Sequence, residues 1–417
     1  MTATPARRRN DAILWTIAAV AFWATTAWLG VLMFNSVPRS AAFDLDLLVD
    51  AGRSIGAGQT PYDPVVLRGV VPDAVDLFYS YPPIVGQVLV PISGLPLGLI
   101  AIGWAVAAIA LLAVAVVRIG ALVTPAVPAR TVTAATIAVA AMTFPLLIAV
   151  LFGNLDAFFP ALYGFVLIGA LSRVRPDGVI GGVAIAIGAL TKVYPAGFGL
   201  WFLVRAVRPG GGRDRQRLLV PVATAAVTAA GLVAASVALF GLGPWQDFAK
   251  VASIAAQAGL VDGRNAGPAA QVALWLGAEN GLARLLHLPV VGLAVFAIAA
   301  AAWFRDDPLE SLAIAATATL YLLPISWIHY PAALLPFVAA AVLRAHANDR
   351  RAIRLVWRLA ALALFAGAVS IAWRPSLWLA VAFALLAVHA SVSPSTRRQP
   401  VGTDGEGSAL ALPEARS

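Results

Sequence analysis

The sequence predicts an all-α polytopic membrane protein, and three observations predict it. The 417 residues are 61% hydrophobic and only 12% charged, with mean hydropathy +0.87, and a soluble domain has nowhere to put so much apolar surface. Apolar runs near the ~20 residues needed to cross a bilayer recur from end to end. They fall at 12–34, 98–117, 131–151, 157–171, 218–240, 289–304, 309–326, 330–343, 359–373 and 376–391. The basic residues lie in short clusters between these runs, as the positive-inside rule expects.

The clusters set the topology. Of 29 Lys+Arg, 21 fall on one side, taken as cytoplasmic, and 8 on the other. The formal charge of +9 therefore marks topology and does not point to nucleic acid. Both termini are expected inside, in the plasma membrane. Residues 12–34 have no small-residue cleavage site after them and read as a retained first helix. Two stretches need special treatment. Tyr81 to Val117 is too long for one crossing and too short for two, so Pro91 and Pro96 divide it into a short helix and a full one. Residues 179–204 have arginines at both ends and Lys192, Tyr194 and Pro195 in the middle, which predicts two half-helices meeting near the outer surface. The count becomes about twelve crossings. The organisation expected is a cytoplasmic 1–11, one integral domain over 12–391 and a disordered cytoplasmic tail over 392–417, rich in Ser, Pro, Arg and Gly. Within the domain, 35–81 is the first external loop. Residues 241–287 form a second, whose apolar part from 268 lies along the membrane.

The polar residues that remain are candidates for chemistry. The first external loop carries Asp44, Asp46, Asp50, Asp63, Asp73 and Asp76, six of the chain's twenty acidic residues. Asp44 follows the first helix exit, where a carboxylate at the membrane boundary can take a proton from a sugar hydroxyl; helix capping or wetting of the loop is the plain alternative. Lys192, one of two lysines in an arginine-using chain, interrupts an apolar stretch, and an intramembrane cation suggests function by default. A lipid phosphate is its natural counter-ion, and a lysine snorkelling at a helix end is the alternative. His329, within Trp327-Ile328-His329-Tyr330, stands at an outer turn and could donate to a phosphate or bind a hydroxyl. Asn154 and Asp156 after Phe152-Gly153 could orient hydroxyls, although a turn with a helix cap explains them as well. Tyr81 and Trp327 are candidates to stack on sugar faces, whereas most interfacial aromatics are anchors. There are no cysteines, and four scattered histidines lack paired spacing, so no metal site is expected and no cofactor is implied. Gly210-Gly211-Gly212 lies in a basic loop and reads as a linker, which argues against a soluble nucleotide sugar as donor.

In order, Asp44-Leu45 with Ala51-Gly52, Gly58-x-x-Pro61-Tyr62-Asp63, Tyr81-Pro82-Pro83 with Pro91 and Leu95-Pro96, Gly153-Asn154, Lys192 and Trp327-x-His329 resemble glycosyltransferase family 87. The resemblance covers roughly 40–340. It implies a GT-C-like helical bundle with external loops forming the active site. It also implies inverting transfer of mannose from a polyprenyl-phosphate donor to a glycolipid or glycan acceptor, as an α-1,2 linkage, at the outer face. On this reading Asp44 is the catalytic base, Lys192 and His329 hold the donor phosphate, and Asp46, Tyr81, Asn154, Asp156, Trp327 and Asn265 touch substrate. The chain departs from the pattern at Leu47-Leu48, where members often have Val-Tyr. A frequent Asn-Gln-Ser appears here as Asn265-Ala266-Gly267, which leaves the acceptor open. The rival donor within the class is a polyprenyl-phosphate arabinofuranose. The rival class is a glycolipid transporter, which would place its polar residues at the midplane in symmetric halves.

Overall fold

A computed structural model describes residues 42–71, 78–124, 144–209, 214–255 and 260–347, with a few single positions between these stretches. The crossings expected at 12–34, 359–373 and 376–391, the segments 1–11 and 392–417, Asp73 and Asp76 lie outside the described residues. Every regular element described is helical. Three helices are long and apolar enough to cross a membrane: α4 (Leu97–Val123), α9 (Arg215–Phe240) and α12 (Asn280–Phe304). About twelve crossings were expected, and these three are the ones of full length among the described residues.

The segment expected as the first external loop, with the short stretch after it, folds into α1 (Phe43–Gly56), α2 (Pro64–Leu67) and α3 (Pro83–Leu89). Leu45, Leu48, Val49, Gly52 and Ile55 of α1 recur on one buried face, the spacing of an amphipathic helix. Asp44 and Asp46 occupy its first turn, where negative charge suits the unpaired N–H groups. Asp63 caps α2, its carboxylate accepting from the Val65 N–H at 2.6 Å, so the capping alternative holds for this residue. The division at Pro91 and Pro96 is borne out: α3 passes through a short 3₁₀ turn (Val90–Ile92), and α4 starts directly after Pro96.

Then come α5 (Phe144–Phe152), α6 (Phe159–Leu171), α7 (Arg175–Lys192) and α8 (Gly197–Val207). The expected break in 179–204 falls between Lys192 and Gly197, with a 3₁₀ turn Tyr194–Ala196. At ~1.5 Å per residue α7 is about 27 Å long, nearly the depth of a bilayer core, whereas α8 is about 16 Å. After α9 the chain forms α10 (Gly243–Ala255) and α11 (Pro268–Trp275). The expected interfacial stretch is thus shorter than 268–287, because α12 begins at Asn280 and runs on through Pro289. Bundle packing and local adjustment tolerate a proline in a membrane helix. Finally α13 (Pro308–Thr319) ends well before 326, and the chain turns through Trp327 into a 3₁₀ segment, Tyr330–Leu334, and α14 (Leu335–Ala347).

The core centres on α6, with Phe159, Tyr163, Val166 and Leu167 packed against Tyr194, Phe198, Trp201 and Phe202. Full burial of such side chains contributes roughly 1.5–3 kcal/mol each. Polar atoms in this core are paired: the Tyr163 hydroxyl meets Thr319 Oγ1 at 2.6 Å, and Trp201 Nε1 donates to Ser311 Oγ at 2.9 Å. In contrast, α9 shows Val227 at 74% and Leu239 at 76% exposure, and α4 exposes Leu99, Ile102 and Val106. Outward faces this apolar belong against lipid.

Charge divides the bundle along its length. Arg118 near the end of α4 pairs with Asp177 at the start of α7, at 2.8 Å. Arg205 at the end of α8 donates to the Arg305 carbonyl at 2.6 Å, and Arg344 on α14 pairs with Asp307 before α13. These arginines gather at one end. Lys192 ends α7 at its opposite end from Asp177, and Asn154 and His329 stand in the turns that lead into α6 and α14.

Candidate active site

The turn between α5 and α6 carries the first joint. Gly153 has φ 67°, a left-handed conformation that favours glycine, and a Cβ there would lie 2.4 Å from Leu45 Cβ. The close approach sets α1 against the turn. The Ala42 N–H donates to the Leu151 carbonyl at 2.7 Å, and the Phe43 and Phe152 rings lie 4.4 Å apart. Asn154 then reaches Asp44, its Nδ2 donating to Asp44 Oδ2 at 2.7 Å. Its Oδ1 accepts from the Asp156 N–H at 2.9 Å, as a cap for the next 3₁₀ turn. The capping and site readings of Asn154 therefore both hold, one for each end of its amide.

Asp156 is the hub. Its Oδ2 accepts from Lys192 Nζ at 2.5 Å and lies 2.9 Å from His329 Nε2, and Tyr194 donates its hydroxyl to Oδ1 at 3.2 Å. The His329 N–H is not aimed at that oxygen, and among the described residues Nε2 has no aligned hydrogen-bond partner. Lys192 and Tyr194 both reach Asp156 because Val193 between them takes φ 48°, which ends α7 abruptly. A β-branched residue in that region is strained by about 1–3 kcal/mol, a cost characteristic of functional sites. Lys192 Nζ also lies 4.3 Å from the centre of the Tyr330 ring and 5.6 Å from that of Tyr81, cation–π distances.

These groups border a cavity of about 410 Å³, within the range of small-molecule sites. Asp44, Asn154, Lys192 and His329 supply polar walls, and Tyr81 and Trp327 aromatic ones. Burial pushes the Asp44 carboxyl above its ordinary range, against the lowering influence of the Asn154 hydrogen bond and the charges of His329 and Lys192. A raised carboxylate is a better base.

Three expected substrate contacts lie elsewhere. Asp46, two residues on and so on the opposite side of α1, does not line the cavity. Asp156 is fully buried behind it. Asn265 is also fully buried: its amide donates to the Leu260 and Pro324 carbonyls and accepts from the Gly267 and Ser326 N–H groups. It pins the loop before α11 to the segment carrying Trp327, with which it forms an isolated β-bridge.

Sequence reading gave no role to Arg264, which borders the cavity. Its guanidinium pairs with Asp262 at 2.7 Å and lies 5.6 Å from the Trp327 ring centre. The available signal was its place outside the arginine clusters, in a chain that gathers most of its arginines in them. Among the described residues no cluster of His, Asp and Glu could hold a metal ion.

Compared with known proteins, residues 79–326 match the sequence model of glycosyltransferase family 87, more than half of the chain. No curated protein and no solved structure matches. The matched span contains Tyr81, Asn154, Asp156, Lys192 and Arg264. Asp44 lies well before it and His329 just after it, and it is contact with residues inside the span that ties them to the site.

Proposed function

The chain belongs to glycosyltransferase family 87, and from that premise we propose that it moves mannose from a polyprenyl-phosphate donor to a glycolipid or polysaccharide acceptor. The transfer inverts the anomeric centre, makes an α-1,2 linkage and takes place at the outer face of the plasma membrane. About twelve crossings with both termini inside complete this reading. The observation that carries it is the composition of one cavity at one end of the bundle. It combines a carboxylate of raised proton affinity with a lysine and a histidine, drawn from three separate parts of the chain.

The chemistry follows from those groups. Asp44 removes the proton of an acceptor hydroxyl, and the oxygen attacks the anomeric carbon from the face opposite the phosphate. The bond from that carbon to the phosphate oxygen breaks, and the polyprenyl phosphate departs with the electron pair. Its charge is met by Lys192 and His329, and the proton rests on Asp44. Phosphate leaves readily once its charge is countered, so the protein mainly positions the reactants and stabilises charge. The apolar walls and the lipid-facing helices suit a donor whose tail stays in the bilayer.

The test is transfer of labelled mannose from polyprenyl-phosphate mannose in membranes with and without the protein, with the product linkage determined. Protein-dependent α-1,2-mannosyl product is expected. Transfer only from polyprenyl-phosphate arabinofuranose would move the donor assignment, and transfer from neither would overturn the reading.

A further inference from the structure

Resting on that reading of the donor site, we propose that Asp156 is its positioning residue, one carboxylate that holds Lys192 and His329 side by side and keeps Lys192 away from Asp44. Asp156 has no exposed surface and does not border the cavity, so it cannot touch substrate. The two groups it holds both border the cavity. Both approach the same oxygen, at 2.5 Å and 2.9 Å, which fixes their spacing.

Two further contacts fix the carboxylate itself. Tyr194 donates to its other oxygen, and the Asn154 amide holds its backbone N–H. The same Asn154 amide holds Asp44, so base and phosphate-binding groups are registered through one side chain.

The separation of charges matters as much as the geometry. Lys192 and Asp44 border one cavity, and a lysine without its own carboxylate would turn to the base. An ion pair between them would occupy both the proton acceptor and the phosphate ligand. Asp156 satisfies Lys192 from behind and leaves the carboxylate of Asp44 to Asn154 and the acceptor.

The experiment measures initial rates against polyprenyl-phosphate mannose and against acceptor for the wild type and for Lys192→Met, Asp156→Asn and their combination. Asp156→Asn is expected to raise the donor KM by about tenfold or more, the scale on which loss of an orienting neighbour impairs a ligand-binding group, with the acceptor KM little changed. In the Lys192→Met background the same substitution should add almost nothing, because the group it orients is gone. Unchanged donor KM in Asp156→Asn, or losses that simply add, would overturn the proposal. If Lys192→Met itself leaves donor use unchanged, the donor site is misplaced; if it raises the donor KM while Asp156→Asn does not, only the role of Asp156 falls.

Should Asp156→Asn not fold, the combined variant carries the test, since removing both charges leaves no buried lysine without a counter-charge. The combined variant is expected to melt in detergent close to the wild type and to match Lys192→Met in donor KM. An unfolded combined variant would make Asp156 a requirement of the fold and overturn the proposal.

Discussion

At one end of the bundle a lysine, a tyrosine and a histidine converge on a single buried carboxylate, while at the other end arginines find separate partners. The Lys192–Asp156 pair is almost without exposure, its side chains 6% and 0% accessible. Arg208 pairs with an Asp306 that is 82% accessible. Both ends are rich in charge, but burial separates their purposes. A buried ion cannot turn to water when its partner is lost, whereas an exposed arginine can. The arginine end thus tolerates change and serves orientation, and the other end holds a fixed arrangement suited to chemistry.

The largest expected effect tests that contrast directly. Lys192→Ala strands Asp156 as an uncompensated buried carboxylate and should cost about 3–5 kcal/mol of stability, read by unfolding in detergent; a loss within about 1 kcal/mol would mean that water reaches the pair. Next in size, Asp44→Asn keeps shape and loses basicity. Transfer should fall by at least the roughly 10²-fold that general-base catalysis contributes, while donor KM is preserved. Asp46→Asn, which leaves the cavity wall intact, should transfer nearly normally, and the reverse pattern would reassign the base.

A smaller effect concerns pH. The base acts only when deprotonated, and Asp44 is raised by burial, so the acid limb of the transfer rate should lie above the ordinary carboxylate range. Asn154→Ala removes the hydrogen bond that lowers it. The limb should therefore move further toward neutral pH, and a shift the other way would show that the bond does not favour the charged form. The smallest effect belongs to the arginine end: Arg208→Ala, whose partner Asp306 is 82% accessible, should change stability by no more than about 1 kcal/mol. Orientation is checked by cysteines placed in a chain that has none. An impermeant thiol reagent on whole cells should label Gln59→Cys and spare Asp306→Cys, and the opposite labelling would reverse the topology and the proposed outer-face site.

Much of this was legible in the sequence because it depends on local composition. Apolar runs specified helices for lipid, arginine clusters marked one end, and prolines placed the breaks at Pro96 and Pro195; Lys192 stood out as a cation in an apolar stretch, His329 at a turn between apolar runs and Asp44 just after the first helix exit. What only the tertiary structure decided concerns contacts between distant parts of the chain. Asn154 meets Asp44 across 110 residues, and Lys192 meets Asp156 across 36. The sequence puts Asn154 and Asp156 two places apart in one turn, alike as candidates, but the fold sends one to the cavity wall and the other behind it. Asn265 went the same way, its amide taken by backbone groups that only loop packing brings near, and Arg264 came to border the cavity through that same packing. The physical reason is that residue type sets what a side chain can do, while burial and partners set what remains for it to do, and those arise only when the helices are packed together.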